Sequence, residues 1–73
     1  MNSITCELNG IKYLTIDVFI TSDNKYHILN KIKKYNAIQQ SIVKKHIGGF
    51  FSDDYAIIKI LVPEKNVIDW NDN

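Results

Sequence analysis

The sequence predicts a small α+β protein that consists of one four-stranded sheet and one helix. Segments with an apolar residue at every second position lie on both sides of one segment with apolar residues at helical spacing. The first two of these segments are joined by Asn9-Gly10, a strong signal for a two-residue hairpin turn. Because the chain has 73 residues, enough for one small core, we treat residues 1–73 as a single domain.

The first predicted pair of strands lies within the segment SITCELNGIKYLTIDVFIT. Before the turn, Ile4, Cys6 and Leu8 alternate with polar residues, so Cys6 is expected to be a small core residue. Asn9 and Gly10 both tolerate positive φ, as the favoured hairpin turn requires. After the turn, alternation places four apolar residues on one face of the second strand: Leu14, Ile16, Val18 and Ile20.

The helix is predicted within the segment TSDNKYHILNKIKKYNAI, where the apolar residues change to helical spacing. Ser22 or Asp23 can cap its N-terminus, because their side chains accept hydrogen bonds from free backbone N–H groups. We expect the helix to end near Asn36. The apolar stripe of this helix consists of Ile28, Leu29, Ile32 and Tyr35.

The second half of the chain predicts two more strands and a loop between them. QQSIVKKHI is a weakly patterned third strand, and YAIIKILV is a fourth strand rich in β-branched residues. Between them, GGFFSDD is predicted to form a polar loop in which Phe50 or Phe51 packs at the end of the sheet. Pro63 ends the fourth strand, and EKNVIDW forms one short helical turn.

The order strand, strand, helix, strand, strand (ββαββ) fits two sheet arrangements. In a β-grasp-like sheet the first and last strands are central, and in a permuted ferredoxin-like sheet the second and last are central. The sheet is predicted to be mixed or antiparallel. Both arrangements place a parallel pair of strands at the centre, joined by a right-handed crossover. The second strand is longer and more apolar than the first, as a central strand should be. We therefore favour the ferredoxin-like order, with one helix on one face.

The stretch HIGGFFSDD resembles the signature helix of LAGLIDADG homing endonucleases, which ends in a metal-binding carboxylate. The resemblance implies that Asp53 or Asp54 binds a metal ion. Two features favour a loop instead: Gly48-Gly49 is unfavourable in a helix interior, and the chain has no room for the other elements of that domain. We predict a turn that leads into the fourth strand, with no metal and no cofactor.

The residues available for nucleophilic catalysis or soft metal binding are Cys6, His27 and His46. With a single cysteine the chain cannot form an internal disulfide. A cysteine–histidine pair needs a third group to orient the histidine, and the sequence offers no pattern that supplies one. We therefore predict that the protein is not an enzyme.

Composition and charge favour a soluble, cytoplasmic protein. The formal net charge is +1, which predicts no strong overall affinity for nucleic acid or membranes. We expect no signal peptide, and no apolar segment approaches the roughly 20 residues needed to span a bilayer. A short chain rich in Lys and Asn would suit an inhibitor or accessory protein encoded by a phage or mobile element.

Lysines are concentrated in the middle of the chain, where residues 24–52 contain six lysines and no acid. If the helix and third strand are neighbours, four of them form a basic edge: Lys33, Lys34, Lys44 and Lys45. Such an edge could contact nucleic-acid phosphates, with Tyr26 or His27 available for stacking. The alternative is a solvated helix face beside an edge strand that lysines protect from aggregation.

One helix covers one face of a sheet, so the opposite face is predicted to be exposed. We expect an apolar and aromatic interaction face there, made of Tyr13, Phe19, Tyr55, Ile57, Leu61 and Trp70. Asp17 and Lys59 could pair across it if the second and fourth strands are neighbours. An alternative is that the C-terminal segment, with Trp70, folds back and covers part of this face.

The sequence thus predicts a small protein-interaction module that acts through this sheet face, either as a homodimer or by docking a protein partner. The alternative function is a nucleic-acid-binding module that uses the basic edge.

Overall fold

The computed structural model describes residues 5–72, so Ile4 of the predicted first strand lies outside the described residues. Its elements in chain order are β1 (Thr5–Leu8), β2 (Ile11–Thr21), α1 (Lys25–Lys34), β3 (Ile38–His46), β4 (Tyr55–Pro63), a 3-10 turn (Glu64–Asn66) and α2 (Val67–Asn71). This confirms a small α+β protein. The predicted ββαββ order with a single helix is not confirmed, because a second short helix follows β4. In the described part of the chain, neither helix is long and apolar enough to cross a membrane.

The four strands form one antiparallel sheet in the order β1-β2-β4-β3. The antiparallel sheet, one of the two forms expected from the sequence, is confirmed. The parallel central pair expected in both arrangements is wrong. The strands on either side of α1, β2 and β3, are parallel to each other but not adjacent. β4 turns back from β3 and lies between them, antiparallel to both. Its apolar sequence explains this central position, since Ile58, Ile60 and Val62 are all buried.

The predicted hairpin between β1 and β2 is confirmed. Asn9 and Gly10 both have positive φ, 51° and 80°, and Leu8 pairs with Ile11 directly across the turn. β1 pairs with β2 only as far as Leu14, so one edge of β2 has no neighbouring strand beyond that residue within the described chain.

The apolar core lies on one face of the sheet, which we call the helix face. The buried cluster consists of Tyr35, Ile58, Ile60, Val62 and Trp70. Ile16, Val18 and Ile20 of β2 pack against this cluster, so the alternation expected from the sequence is confirmed for these strands. Both helices contribute to this layer, and the opposite face, which we call the open face, carries neither of them.

Asparagines begin and end α1. The N-cap is Asn24, not Ser22 or Asp23, and its side chain reaches back to β2. There its carbonyl oxygen accepts a hydrogen bond from Thr21 N–H at 2.7 Å, and its amide donates to the Phe19 carbonyl at 3.0 Å. At the other end Asn36 adopts φ 55°, which turns the chain into β3 and terminates the helix where the sequence predicted.

Candidate protein-interaction surface

Three aromatic rings lie together on the open face, at the end of the sheet near Thr21. His46 and Tyr55 face each other in register across β3 and β4. Their rings are stacked with centroids 4.9 Å apart, and the Phe19 ring lies 5.0 Å from that of Tyr55. The Lys44 ammonium lies 5.8 Å from the Tyr55 ring. We call Phe19, His46 and Tyr55 the aromatic ladder.

The predicted interaction face is only partly exposed. Phe19 is 53% exposed, and Tyr55 and Ile57 are half-buried. Tyr13 and Leu61 share this face but are only 8% and 5% exposed, so their expected exposure is wrong. Both have neighbours on either side in the sheet, whereas Phe19 lies where β2 has no β1 partner.

Trp70 does not belong to the open face. It packs in the core on the helix face, with its ring centroid 6.1 Å from that of Tyr35. The C-terminal segment therefore covers the helix face, and the alternative in which it covers the interaction face is wrong.

The loop between β3 and β4 carries the most exposed apolar side chains in the structure. Phe50 and Phe51 are 94% and 96% exposed, and their rings contact each other edge to face at 5.0 Å. The sequence-based expectation that one of them packs at the sheet end is wrong. The loop extends past the end of β2, because Thr21 pairs with Tyr55, the first residue of β4. We call Phe50 and Phe51 the tip pair, and residues 44–57 the arm.

Internal hydrogen bonds hold the loop of the arm in shape. The Asp54 carboxylate accepts a hydrogen bond from Gly48 N–H at 2.7 Å, and the Ser52 hydroxyl accepts one from Gly49 N–H at 3.3 Å. A Cβ at Gly48 would overlap the Ser52 carbonyl oxygen, so this close turn requires glycine. The predicted loop is confirmed, and the Asp54 carboxylate stabilises it by accepting the Gly48 hydrogen bond. Among residues 5–72 no three His, Cys, Asp or Glu side chains are grouped as metal ligands.

The four lysines of the predicted basic edge do not lie on one surface. Lys44 pairs with Ile57 on the open face, and Lys45 pairs with Ala56 on the helix face, so the two project in opposite directions. Lys33 and Lys34 belong to α1, on the helix side of the sheet. The edge position of β3 is as expected, since β3 lies at one end of the strand order.

The residues considered for nucleophilic chemistry are far apart. Cys6 is half-buried on the open face, in the row that contains Tyr13 and Pro63, instead of in the core on the helix face. His46 lies in the row of Tyr55, eight residues from Pro63 along β4, which corresponds to about 26 Å. His27 is exposed on α1. A pair formed by Cys6 and His46 is therefore excluded.

Sequence reasoning missed the contact that holds α2 in place. Lys31 is 9% exposed, and its ammonium donates a hydrogen bond to the Trp70 carbonyl at 2.8 Å. The Asn66 amide also donates to the Tyr35 carbonyl at 2.8 Å. Burial lowers the pKa of Lys31. These contacts fix the C-terminal segment on the helix face and leave the open face uncovered by it.

No family model, no curated protein and no solved structure matches this chain.

Proposed function

We propose that this protein is a non-enzymatic protein-interaction module that binds through the arm and the adjoining aromatic ladder. The observation that carries this proposal is the tip pair, two phenylalanines that are more than nine-tenths exposed on an internally hydrogen-bonded loop. The predicted interaction face is retained in reduced form, as Phe19, Tyr55 and Ile57, and is extended by Phe50 and Phe51.

The exposed aromatic area is large enough to support binding. Phe19, Phe50 and Phe51 together expose about 500 Å², taking about 200 Å² for a whole side chain of this class. Burying that area is worth about 12 kcal/mol at 25 cal/mol per Å². Association costs on the order of 4–15 kcal/mol in lost freedom of motion. Burial of this surface therefore offsets the cost of association only where that cost lies in the lower part of its range. The loop's own hydrogen bonds act in that direction, because they reduce the cost of ordering it.

The polar residues around the tip pair favour a protein partner over a lipid surface. Asp53 and Asp54 follow it after Ser52, and both are exposed. Two carboxylates beside the apolar tip would be repelled by anionic lipid headgroups. An aromatic centre with a charged rim is instead the usual anatomy of a protein–protein interface.

The proposal can be tested by placing a photocrosslinking phenylalanine analogue at Phe51 in the native host cell. We expect one dominant protein adduct after irradiation, whether with another protein or with a second copy. The matched control places the same analogue at Tyr26, an aromatic residue of α1 that is 77% exposed but lies outside the arm. If Phe51 yields no adduct, or the same adducts as Tyr26, the proposal is refuted.

A second candidate function is nucleic-acid binding, and one observation favours it. Lys44 lies beside the stacked rings of His46 and Tyr55, so a cation and two aromatic rings share one surface. Single-strand binding proteins combine basic and aromatic side chains in this way. Fluorescence anisotropy with labelled single-stranded DNA and RNA should then show salt-sensitive binding that Lys44→Glu abolishes and Lys65→Glu preserves. An absence of binding at low salt would remove this candidate.

A further inference from the structure

We infer that the partner bound by the arm is a second copy of this chain, packed face to face and antiparallel, with Asp53 of each copy opposite Lys59 of the other. This inference rests on the proposed interaction function and specifies its partner.

The order of side chains along β4 is the first argument. Tyr55, Ile57 and Lys59 share the open face at intervals of two residues, or about 6.6 Å. Asp53 lies two residues before Tyr55, in the loop that leads into β4. The sequence of properties from the tip inward is therefore acid, aromatic, aliphatic, base. A two-fold axis between Tyr55 and Ile57 places each Tyr55 against Ile57 of the other copy. The same axis places each Asp53 against Lys59 of the other copy.

The charges of the two ends are complementary. The loop end carries Asp53 and Asp54, and the inner end carries Lys44 and Lys59. Asp17 lies directly opposite Lys59 on β2 and offsets one of these lysines, so the inner end keeps a net positive charge. An antiparallel pair of copies brings each acidic end to a basic end, whereas a parallel pair would bring like charges together.

The surface area that a stable dimer must bury is the second argument. A stable complex of ordinary size buries about 800 Å² on each partner. The three exposed phenylalanines provide about 500 Å² of that on one copy. Ile47, which is 72% exposed, and the charged residues of the arm extend this surface. In a two-fold interface every contact occurs twice, so both tip pairs are buried in one assembly.

The structure also disfavours a dimer in which two copies pair through the edge of β3. β3 is an edge strand, but its register is interrupted between Gln39 and Ser41 and again between Ile42 and Lys44. Such bulges, together with lysines, protect sheet edges from pairing with another strand. Face-to-face packing does not use this edge.

A charge-exchange experiment tests the arrangement. We expect sedimentation of the full chain across a dilution series to show a dimer. Asp53→Lys and Lys59→Glu should each raise the dimer dissociation constant roughly tenfold or more, because either change creates two like-charge contacts per dimer. An equimolar mixture of the two variants should restore association close to that of the wild type, since both contacts then join opposite charges. Asp72→Lys and Lys65→Glu are matched controls outside the surface and should leave the dimer unchanged.

Phe50→Ser/Phe51→Ser should also yield a monomer, with an unchanged circular dichroism spectrum because these side chains are not in the core. A wild-type monomer at all concentrations, or a dimer unaffected by both charge reversals, overturns the inference. So does a mixture of the two variants that fails to associate. A monomer whose Phe51 analogue crosslinks a different protein overturns the inference and supports the proposed function. A monomer whose Phe51 analogue gives no adduct refutes both the inferred dimer and the proposed protein-interaction function. A monomer that binds labelled nucleic acid through Lys44 replaces both of them with the nucleic-acid-binding function.

Discussion

The ammonium of Lys31 donates a hydrogen bond of 2.8 Å to the Trp70 carbonyl and lies 4.4 Å from the centre of the Trp70 ring. One lysine of α1 thus satisfies a carbonyl of α2 and contacts its largest apolar side chain. α2 has only five residues, too few to form a stable helix alone. The position of the C-terminal segment therefore depends on this contact and on the packing of Trp70 against Tyr35.

Replacing Lys31 by methionine keeps the apolar stem and removes the donor. We expect Lys31→Met to lower the free energy of unfolding by about 2 kcal/mol, because the Trp70 carbonyl loses a charged partner. Lys33→Met, at an exposed position of the same helix, should change it by less than about 0.5 kcal/mol. Urea denaturation of the wild type, Lys31→Met and Lys33→Met measures these free energies of unfolding. A more stable Lys31→Met would show that the cost of burying the ammonium exceeds the value of its contacts.

Lys31 also predicts a dependence of stability on pH. Burial lowers its pKa in the folded protein below the ordinary value of 10.5. Between the folded pKa and 10.5 the unfolded chain binds more protons at this residue than the folded protein does, so folding is favoured increasingly as pH rises through that window. Below the folded pKa the penalty for burying the charge is fully present.

The wild type should therefore gain stability relative to Lys31→Met as the pH is raised from neutral towards 10.5. Urea denaturation of both proteins at a series of pH values gives the difference directly, and other titrating groups cancel in it. If the difference in free energy of unfolding between wild type and Lys31→Met does not vary with pH, the pKa of Lys31 is not lowered in the folded protein.

Periodicity predicted the elements of the fold but not how the elements pack together. The Asn9-Gly10 turn and the apolar alternation of β2 and β4 were readable, because each reflects a local rule about φ or about strand faces. The antiparallel arrangement of the central strands could not be predicted in this way, because it depends on β4 lying between β2 and β3, the two strands that α1 connects. A lysine in a helix predicts an exposed side chain, so nothing local indicated that Lys31 contacts Trp70.

The loop of the arm provides a test of local geometry. Gly48→Ala would place a methyl group against the Ser52 carbonyl oxygen, so the turn must rearrange. We expect loss of the Gly48–Asp54 hydrogen bond and faster amide exchange throughout the loop. Gly49→Ala is the matched control, because a Cβ there meets no atom within 4 Å. Amide exchange measured by NMR separates the two variants, and equal protection in both would contradict the loop geometry.

The candidate surface was predicted in part, for reasons that specific residues make clear. Strand alternation correctly placed Phe19, Tyr55 and Ile57 on the face without helices. It could not show that Tyr13 is shielded, because this depends on which residues lie beside it in the sheet. The exposure of the tip pair depends on where β2 ends relative to β4, and no sequence pattern specifies that offset.

Asn36 follows the C-cap of α1, Tyr35, and adopts φ 55°. The left-handed conformation costs a residue with a Cβ about 1 kcal/mol, less for asparagine and none for glycine. Asn36→Ala should therefore lower the free energy of unfolding by about 1 kcal/mol, and Asn36→Gly should leave it equal or slightly higher. Asn30→Ala, at an exposed position inside the helix, should raise it by a few tenths of a kcal/mol because alanine has the higher helix propensity. Thermal and urea unfolding give this order. If Asn36→Ala were as stable as Asn36→Gly, the left-handed residue would not be what directs the chain from α1 into β3, which ends in the arm.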